Sequence, residues 1–189
     1  MKQTEELIQL MLDAGASKAA RIEEAQIVTN PAFFDTCKTN RCGNFGKCYA
    51  CPPLAGSCDE LIKSVHSYRH GLLYQTIGYL EDSFDIEGMG AAGRKHAETG
   101  MKIREALSKE LPEDAWFLSA GGCRLCDRCA ALDGSPCRFP DKVQTAMEGA
   151  CIDVFQTTKS TPLKYINGQD TVTYFGLVLF DRKDEGTDV

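Results

Sequence analysis

Three cysteines at two-residue intervals form the most regular pattern of reactive side chains in this sequence of 189 residues. They are Cys123, Cys126 and Cys129, and Cys137 follows after seven further residues. In ferredoxins such spacing lets one loop supply thiolates to a 4Fe–4S cluster, while a fourth cysteine after a shorter gap serves a neighbouring cluster. We expect all four thiols to hold one cluster, and the spacing leaves open whether Cys137 ligates that same cluster.

Zinc is the alternative metal for these four thiols. Structural zinc sites made of four cysteines are common, but they usually take two ligands from one knuckle and two from a distant segment. A third cysteine after another two-residue gap therefore favours a 4Fe–4S cluster over zinc. Arg124, Asp127 and Arg128 stand among the cysteines, and such charged residues argue against a set of thiols that is merely buried in a core.

A second group of cysteines lies in a segment rich in glycine, asparagine and proline, which predicts a loop. Lys38, Arg41 and Lys47 occur within it, and no acidic residue lies between positions 37 and 58. In a chain of net charge −6, this local positive charge suits an anionic thiolate centre. The spacing is less regular than in the other loop, and four thiols are available as ligands: Cys37, Cys42, Cys48 and Cys51.

The ten cysteines of the chain indicate metal ligation more than disulfide bonding. Disulfide-dense scaffolds are short and secreted, whereas the acidic start of this chain lacks the pattern of a secretory signal. The longest apolar stretches are too short for a membrane span, and the net negative charge opposes a sequence-independent nucleic-acid binder. We expect a cytoplasmic protein without membrane or nucleic-acid partners.

Cys58 and Cys151 have no neighbour at a regular spacing and are interpreted as small, inert residues.

Hydrophobic periodicity and turn signals predict an α+β fold. One domain is expected over residues 1–180, with helices packed on a mixed or antiparallel sheet and two cysteine-rich loops, and the charged segment 181–189 is expected to be a frayed tail. Asn167-Gly168 predicts a terminal hairpin. The other predicted elements are helices at Glu5–Ala14, Gly93–Leu111 and about Asp141–Gly149, a helix opened by the capping box Ser57-Cys-Asp-Glu60, and strands near Arg21–Val28, Gly71–Leu80 and Ala115–Ser119.

These motifs together resemble the DUF2284 family of predicted metal-binding proteins, which is common in anaerobic bacteria and archaea. The resemblance covers nearly the whole chain, from Cys37-Lys-Thr-Asn-Arg-Cys42 through Gly121-Gly-Cys-Arg-Leu-Cys126 to Tyr174-Phe-Gly-Leu-Val-Leu-Phe180. It implies metal binding and leaves the reaction open. Cys48 departs from the family pattern, where this position is usually not cysteine. The resemblance implies seven ligating cysteines: Cys37, Cys42, Cys51, Cys123, Cys126, Cys129 and Cys137.

A first-loop cluster held by three cysteines would keep one iron with a replaceable ligand, unless Cys48 closes that position. A closed cluster fits an electron relay, and an open one fits a catalytic site. Glu81, Asp82 and Asp85 are then candidates for substrate or proton handling beside the open iron. A solvated acidic loop explains these carboxylates equally well.

Three functions follow from this reasoning. The first is a redox protein with one or two 4Fe–4S clusters that exchanges electrons with a separate redox partner. The second is an enzyme that binds substrate or sulfide at the open iron, and the third is a zinc-stabilised interaction module. The sequence specifies neither the partner nor the oligomeric state.

His66, His70 and His96 fall in polar, helix-like contexts and are expected at the surface.

Overall fold

The computed structural model describes residues 3–183 and shows one mixed sheet, so the fold is α+β as predicted. Its five strands are β1 Lys18–Glu23, β2 Tyr68–Tyr79, β3 Trp116–Ser119, β4 Thr145–Ala146 and β5 Thr171–Arg182. They are arranged in the order β1-β2-β5-β3-β4. Neighbouring strands are antiparallel except β3 and β4, which run parallel.

Five α-helices accompany the sheet: α1 Thr4–Asp13, α2 Ala32–Lys38, α3 Cys58–Val65, α4 Ile86–Leu107 and α5 Val154–Thr158. The predicted capping box of α3 is confirmed. The Ser57 hydroxyl accepts the Glu60 N–H at 3.4 Å, and the Glu60 carboxylate accepts the Ser57 N–H at 2.9 Å, which satisfies N–H groups that a helix start leaves open. Within residues 3–183, no helix is both long and apolar enough to cross a membrane.

Both faces of the sheet are buried. Successive residues of a strand point to opposite faces, so each face has its own set of side chains. One face carries Leu72, Tyr74 and Val178, which pack with side chains of α1 and α4. The other carries Leu73 and Leu177, which pack with α3 and with the segment 147–163. Helices therefore cover both sides, and only the edges of the sheet remain for the loops.

The predicted helix at 141–149 is wrong. The segment forms a 3₁₀ turn, the short strand β4 and a further turn. The Ala146 N–H donates to the Ala50 carbonyl oxygen at 2.8 Å, and the Met147 N–H donates to that of Ser119 at 2.9 Å. Because these groups bond to distant segments, they are not available for a helical ladder. This pairing attaches the first cysteine loop to the sheet edge.

The predicted hairpin around Asn167-Gly168 is also wrong. β5 pairs with β2 along its length, and residues 164–170 form a loop. The Asn167 side-chain amide donates to the Lys164 carbonyl oxygen at 2.9 Å and to the Thr173 hydroxyl at 3.1 Å. The Asn-Gly pair therefore builds a local turn before β5 without a strand ahead of it.

Several element boundaries differ from the prediction, among them those of β1, α4 and β5. β1 begins before the predicted strand at 21–28 and ends at Glu23, because residues 24–26 form a 3₁₀ turn. α4 begins well before the predicted Gly93, since the Asp85 carboxylate accepts the Gly88 N–H at 2.7 Å and caps the helix. β5 runs to Arg182, and the remaining part of the expected frayed tail, residues 184–189, lies outside the described residues. Fraying there stays a prediction.

His96 is buried, contrary to the expected surface position. Its ring lies between Tyr74 and Tyr174, with ring centroids 5.5 and 5.7 Å away. Its two nitrogens contact the Thr76 hydroxyl at 2.8 Å and the Phe175 carbonyl oxygen at 3.1 Å. Burial lowers the pKa of His96 to about 4, so the ring is neutral near pH 7 and serves packing between α4 and the sheet.

Candidate metal centre

The four cysteines of the second loop line one narrow cavity at the β4 edge of the sheet. Most of the other lining residues are apolar or aromatic, and all four cysteines are partly exposed. The cysteines are Cys123, Cys126, Cys129 and Cys137, and the remaining lining residues are Tyr49, Leu125, Ala130, Arg138, Phe139 and Val143.

Backbone N–H groups of this loop point toward its sulfur atoms. The Leu125 N–H donates to Cys123 Sγ at 3.5 Å, and the Phe139 N–H donates to Cys137 Sγ at 3.4 Å. Gly134 has a left-handed φ of 66° and reverses the chain ahead of Cys137, a conformation that glycine adopts without steric cost. Burial raises the pKa of Cys123, and the Leu125 N–H opposes that shift.

Charged side chains at the surface of the second loop connect its parts through an ion pair and a hydrogen bond. Arg128 pairs with Asp133 at 2.8 Å, and the Arg138 guanidinium donates to the Arg128 carbonyl oxygen at 2.8 Å. These contacts close the stretch between the third and fourth cysteines, so the fourth is held near the other three.

Three cysteines of the first loop, Cys37, Cys42 and Cys51, line a second and wider cavity of about 330 Å³. Cys37 is carried by α2, a helix in a segment for which the sequence predicts a loop. Cys42 and Cys51 follow in turns. Its wall is mostly apolar, and the lining residues include Thr36, Thr39, Arg41, Asn44 and Glu148.

Cys48 lies between the two sets of thiols. Its sulfur accepts the Cys123 N–H at 3.3 Å, and only 3% of the residue is exposed. The neighbouring Cys51 thiol, together with the N–H groups of Ala50 and Cys123, lowers the pKa of Cys48, although burial opposes this shift. Cys48 therefore contacts both loops and stands outside the lining of the first-loop cavity.

The two loops meet at additional contacts beside Cys48. The Tyr49 hydroxyl of the first loop donates to the Ser135 carbonyl oxygen of the second at 2.7 Å. A Cβ at Gly122 would lie 2.8 Å from Asn44 Nδ2, so the close approach of the loops there requires glycine. The two cysteine cavities are thus parts of one packed region.

Glu148 is a candidate site residue that the sequence reasoning missed. It lines the cavity with the three first-loop cysteines, and its carboxylate accepts the Gly121 N–H at 3.2 Å. Burial, followed by the negative charges of Cys42 and Glu148, raises the pKa of Cys37. No local sequence signal showed this position. The fold brings the segment against the first loop, where a Cβ at Gly149 would lie 2.7 Å from Pro52 Cδ.

The acidic residues Glu81, Asp82 and Asp85 are placed at the start of α4. Asp85 accepts the Gly88 and Glu81 N–H groups at 2.7 and 3.2 Å, and Asp82 accepts the Phe84 N–H at 2.7 Å. In the part of the chain that the structure describes, none of the three lines either cysteine cavity. Asp85 caps the helix, and a role of the three carboxylates in chemistry stays a prediction.

Cys58 and Cys151, interpreted from the sequence as small, inert residues, are close neighbours in the fold. Their sulfur atoms are 3.3 Å apart. Burial and the adjacent Cys58 thiol raise the pKa of Cys151 to about 12. Sequence spacing did not show this pair because 93 positions separate its members.

The donor set of both cavities fits a cluster or a soft metal ion, because thiolates are the ligands that iron–sulfur clusters and structural zinc have in common. Among residues 3–183, no group of three or more His, Cys, Asp and Glu side chains is arranged to hold a metal ion. The structural evidence for a metal site is therefore the grouping of the thiols around the two cavities.

Comparison with known proteins gives one match. The family model described as predicted metal-binding protein (DUF2284) matches residues 20–180, which include both cysteine loops. No curated protein and no solved structure matches the chain. Because the family model covers most of the sequence, the chain belongs to the DUF2284 family of predicted metal-binding proteins.

Proposed function

We propose that this chain is a cytoplasmic iron–sulfur redox protein that holds two 4Fe–4S clusters and exchanges electrons with a separate redox protein. The observation that supports the proposal most strongly is the division of seven cysteines between two cavities. The proposed ligands are Cys123, Cys126, Cys129 and Cys137 in the second loop and Cys37, Cys42 and Cys51 in the first.

The residues around the second-loop thiols have the properties that a relay site needs. Clusters of this kind gain and lose one electron at a time, at potentials set by hydrogen bonds to sulfur and by solvent exposure. Leu125 and Phe139 supply N–H donors to two of the sulfur atoms, and their apolar side chains line the cavity. These residues would lower the negative charge on the thiolates and keep water away from them.

Cys48 supports the idea that the two sites work together. Its sulfur contacts the Cys123 backbone at 3.3 Å and hydrogen-bonds with Cys51, so one side chain joins the walls of both cavities. Short separations of this kind favour electron exchange between neighbouring centres. In this proposal Cys48 connects the two sites and is also the fourth ligand of the first-loop cluster, which closes that cluster as a relay requires.

A second candidate function is an enzyme whose substrate or sulfide binds in the first-loop cavity. The observation that favours it is the cavity of about 330 Å³ beside only three cysteines. Arg41 and Glu148 line this cavity with opposite charges, so a polar ligand would find both a cation and a carboxylate there. Glu148 is also placed to accept or donate a proton.

Electron paramagnetic resonance of the anaerobically purified protein tests the proposal and separates the two candidates. Reduction by dithionite is expected to produce the signals of reduced 4Fe–4S clusters. Added cyanide is expected to change one signal if an iron has a replaceable ligand, and to change none if both sites are closed relays. The first-loop variant Cys37→Ser/Cys42→Ser should remove the cyanide-sensitive signal, while the matched second-loop variant Cys126→Ser/Cys129→Ser should retain it. Absence of any cluster signal after reduction would refute both candidates.

A further inference from the structure

Two cysteines outside both cavities form a close pair. Cys58 is the first residue of α3, and Cys151 lies in the turn that precedes α5. Their sulfur atoms are 3.3 Å apart. A disulfide requires a separation of about 2.0 Å, so rotation of the two side chains through a small distance is sufficient to join them.

The backbone on both sides of the pair is fixed. Cys151 has a positive φ of 62°, which non-glycine residues rarely adopt. Hydrogen bonds hold it there: its carbonyl oxygen accepts the Asn30 N–H at 2.7 Å, and its own N–H donates to the Glu148 carbonyl oxygen at 3.1 Å. Cys58 is held by the capped start of α3. The folded backbone therefore holds the two thiols close together.

The two thiols differ in access to solvent. Cys151 is fully buried at 0% exposure, in a cluster with Phe34 and Leu61, whereas Cys58 is partly exposed. An attacking cysteine that solvent reaches and a resolving cysteine behind it form the arrangement by which thiol–disulfide exchange proceeds.

We propose that Cys58 and Cys151 form a reversible dithiol–disulfide couple. The oxidant is a small-molecule disulfide. The Cys58 thiolate attacks one sulfur of that disulfide, an S–S bond to Cys58 forms, and one thiolate leaves. The Cys151 sulfur then loses its proton and attacks the Cys58 sulfur, which releases the second thiolate. Two protein thiols are oxidised, one small disulfide is reduced to two thiols, and a small dithiol or two monothiols reverse the reaction.

The couple lies next to the first cysteine loop. Phe34 packs in the same apolar cluster as Cys151 and belongs to α2. Cys37, which lines the first-loop cavity, lies one turn further along that helix. The pair therefore packs against the helix that carries Cys37, and lies outside the cavity that Cys37 lines. This inference does not depend on the metal that the loops bind.

Mass spectrometry after treatment with oxidised glutathione tests the proposal on the full, anaerobically purified protein. Wild type is expected to give a peptide pair linked through Cys58 and Cys151, without a stable glutathione adduct on either. The Cys151→Ser variant is expected to accumulate a glutathione adduct on Cys58. The matched Cys58→Ser variant should leave Cys151 unmodified because that thiol is buried.

Each other outcome argues against the couple. A wild-type protein that keeps a glutathione adduct on Cys58, or in which both thiols stay free, would overturn it, and so would an adduct on Cys151 in the Cys58→Ser variant. Circular dichroism establishes that each variant is folded, and Cys58→Ala replaces Cys58→Ser if the serine variant is not. Iron content measured on the same samples distinguishes failure of this inference from failure of the cluster proposal.

Discussion

The second-loop variant Cys126→Ser/Cys129→Ser is expected to bind about half of the iron of the wild-type protein, because it leaves two of the four thiols that one cluster needs. The first-loop variant Cys37→Ser/Cys42→Ser is expected to lose the other half for the same reason. In each variant the remaining cavity keeps all of its cysteines. Iron and acid-labile sulfide per chain, measured after anaerobic purification, give the result.

A third double variant, Cys58→Ser/Cys151→Ser, is the matched control, because neither residue lines a cysteine cavity of the described chain. It should bind as much iron as the wild type. Cys48→Ser should open one iron of the first-loop cluster, so that added cyanide changes its signal in this variant and not in the wild type. If both loop variants lose all iron while remaining folded by circular dichroism, the account of two independent sites is incorrect.

Gly176→Ala is expected to have the largest effect on stability, a loss of about 3 kcal/mol or more in the free energy of unfolding. A Cβ at Gly176 would lie 2.2 Å from Tyr74 Cζ, far inside van der Waals contact. The Tyr74 ring is 1% exposed and stacks on His96 at 5.5 Å. It has no space into which it can move, so the added methyl group strains the centre of the sheet.

Gly90→Ala is the matched control for this substitution. Gly90 lies in α4, and its Cβ would approach only Arg94 Nη1, at 3.6 Å. An alanine in a helix interior is more favourable than glycine by about 1 kcal/mol, so this variant should be as stable as wild type or more so. Urea unfolding gives the free energy of unfolding of both variants. A value for Gly176→Ala within about 1 kcal/mol of that of the wild type would show that the sheet relaxes around the methyl group.

Local signals in the sequence predicted the elements whose causes are local. The capping box at Ser57 and the apolar run that becomes β2 depend on neighbouring residues, and both are present in the structure. The helix expected at 141–149 and the hairpin at Asn167-Gly168 are absent from the described residues, because the backbone of each segment takes part in long-range pairing or in a turn. Pairing partners of this kind are not visible in local periodicity.

In the candidate site, too, the sequence showed the features with local causes and missed those that depend on distant contacts. Spacing placed seven cysteines in two groups, and the structure puts each group around its own cavity, while their role as ligands stays a prediction. It did not place Glu148 beside the first loop, Cys48 between the loops or Cys58 next to Cys151. Each of these depends on a contact between segments that are distant in the chain, and the fold alone brings them together.

Iron, zinc and acid-labile sulfide in the anaerobically purified wild-type protein test the central claim most directly. Two 4Fe–4S clusters predict about eight irons and about eight sulfides per chain, with little zinc. One cluster would give about four of each and would leave one of the two cavities without its proposed role. Stoichiometric zinc without sulfide would contradict the account and would make the chain a zinc-stabilised module.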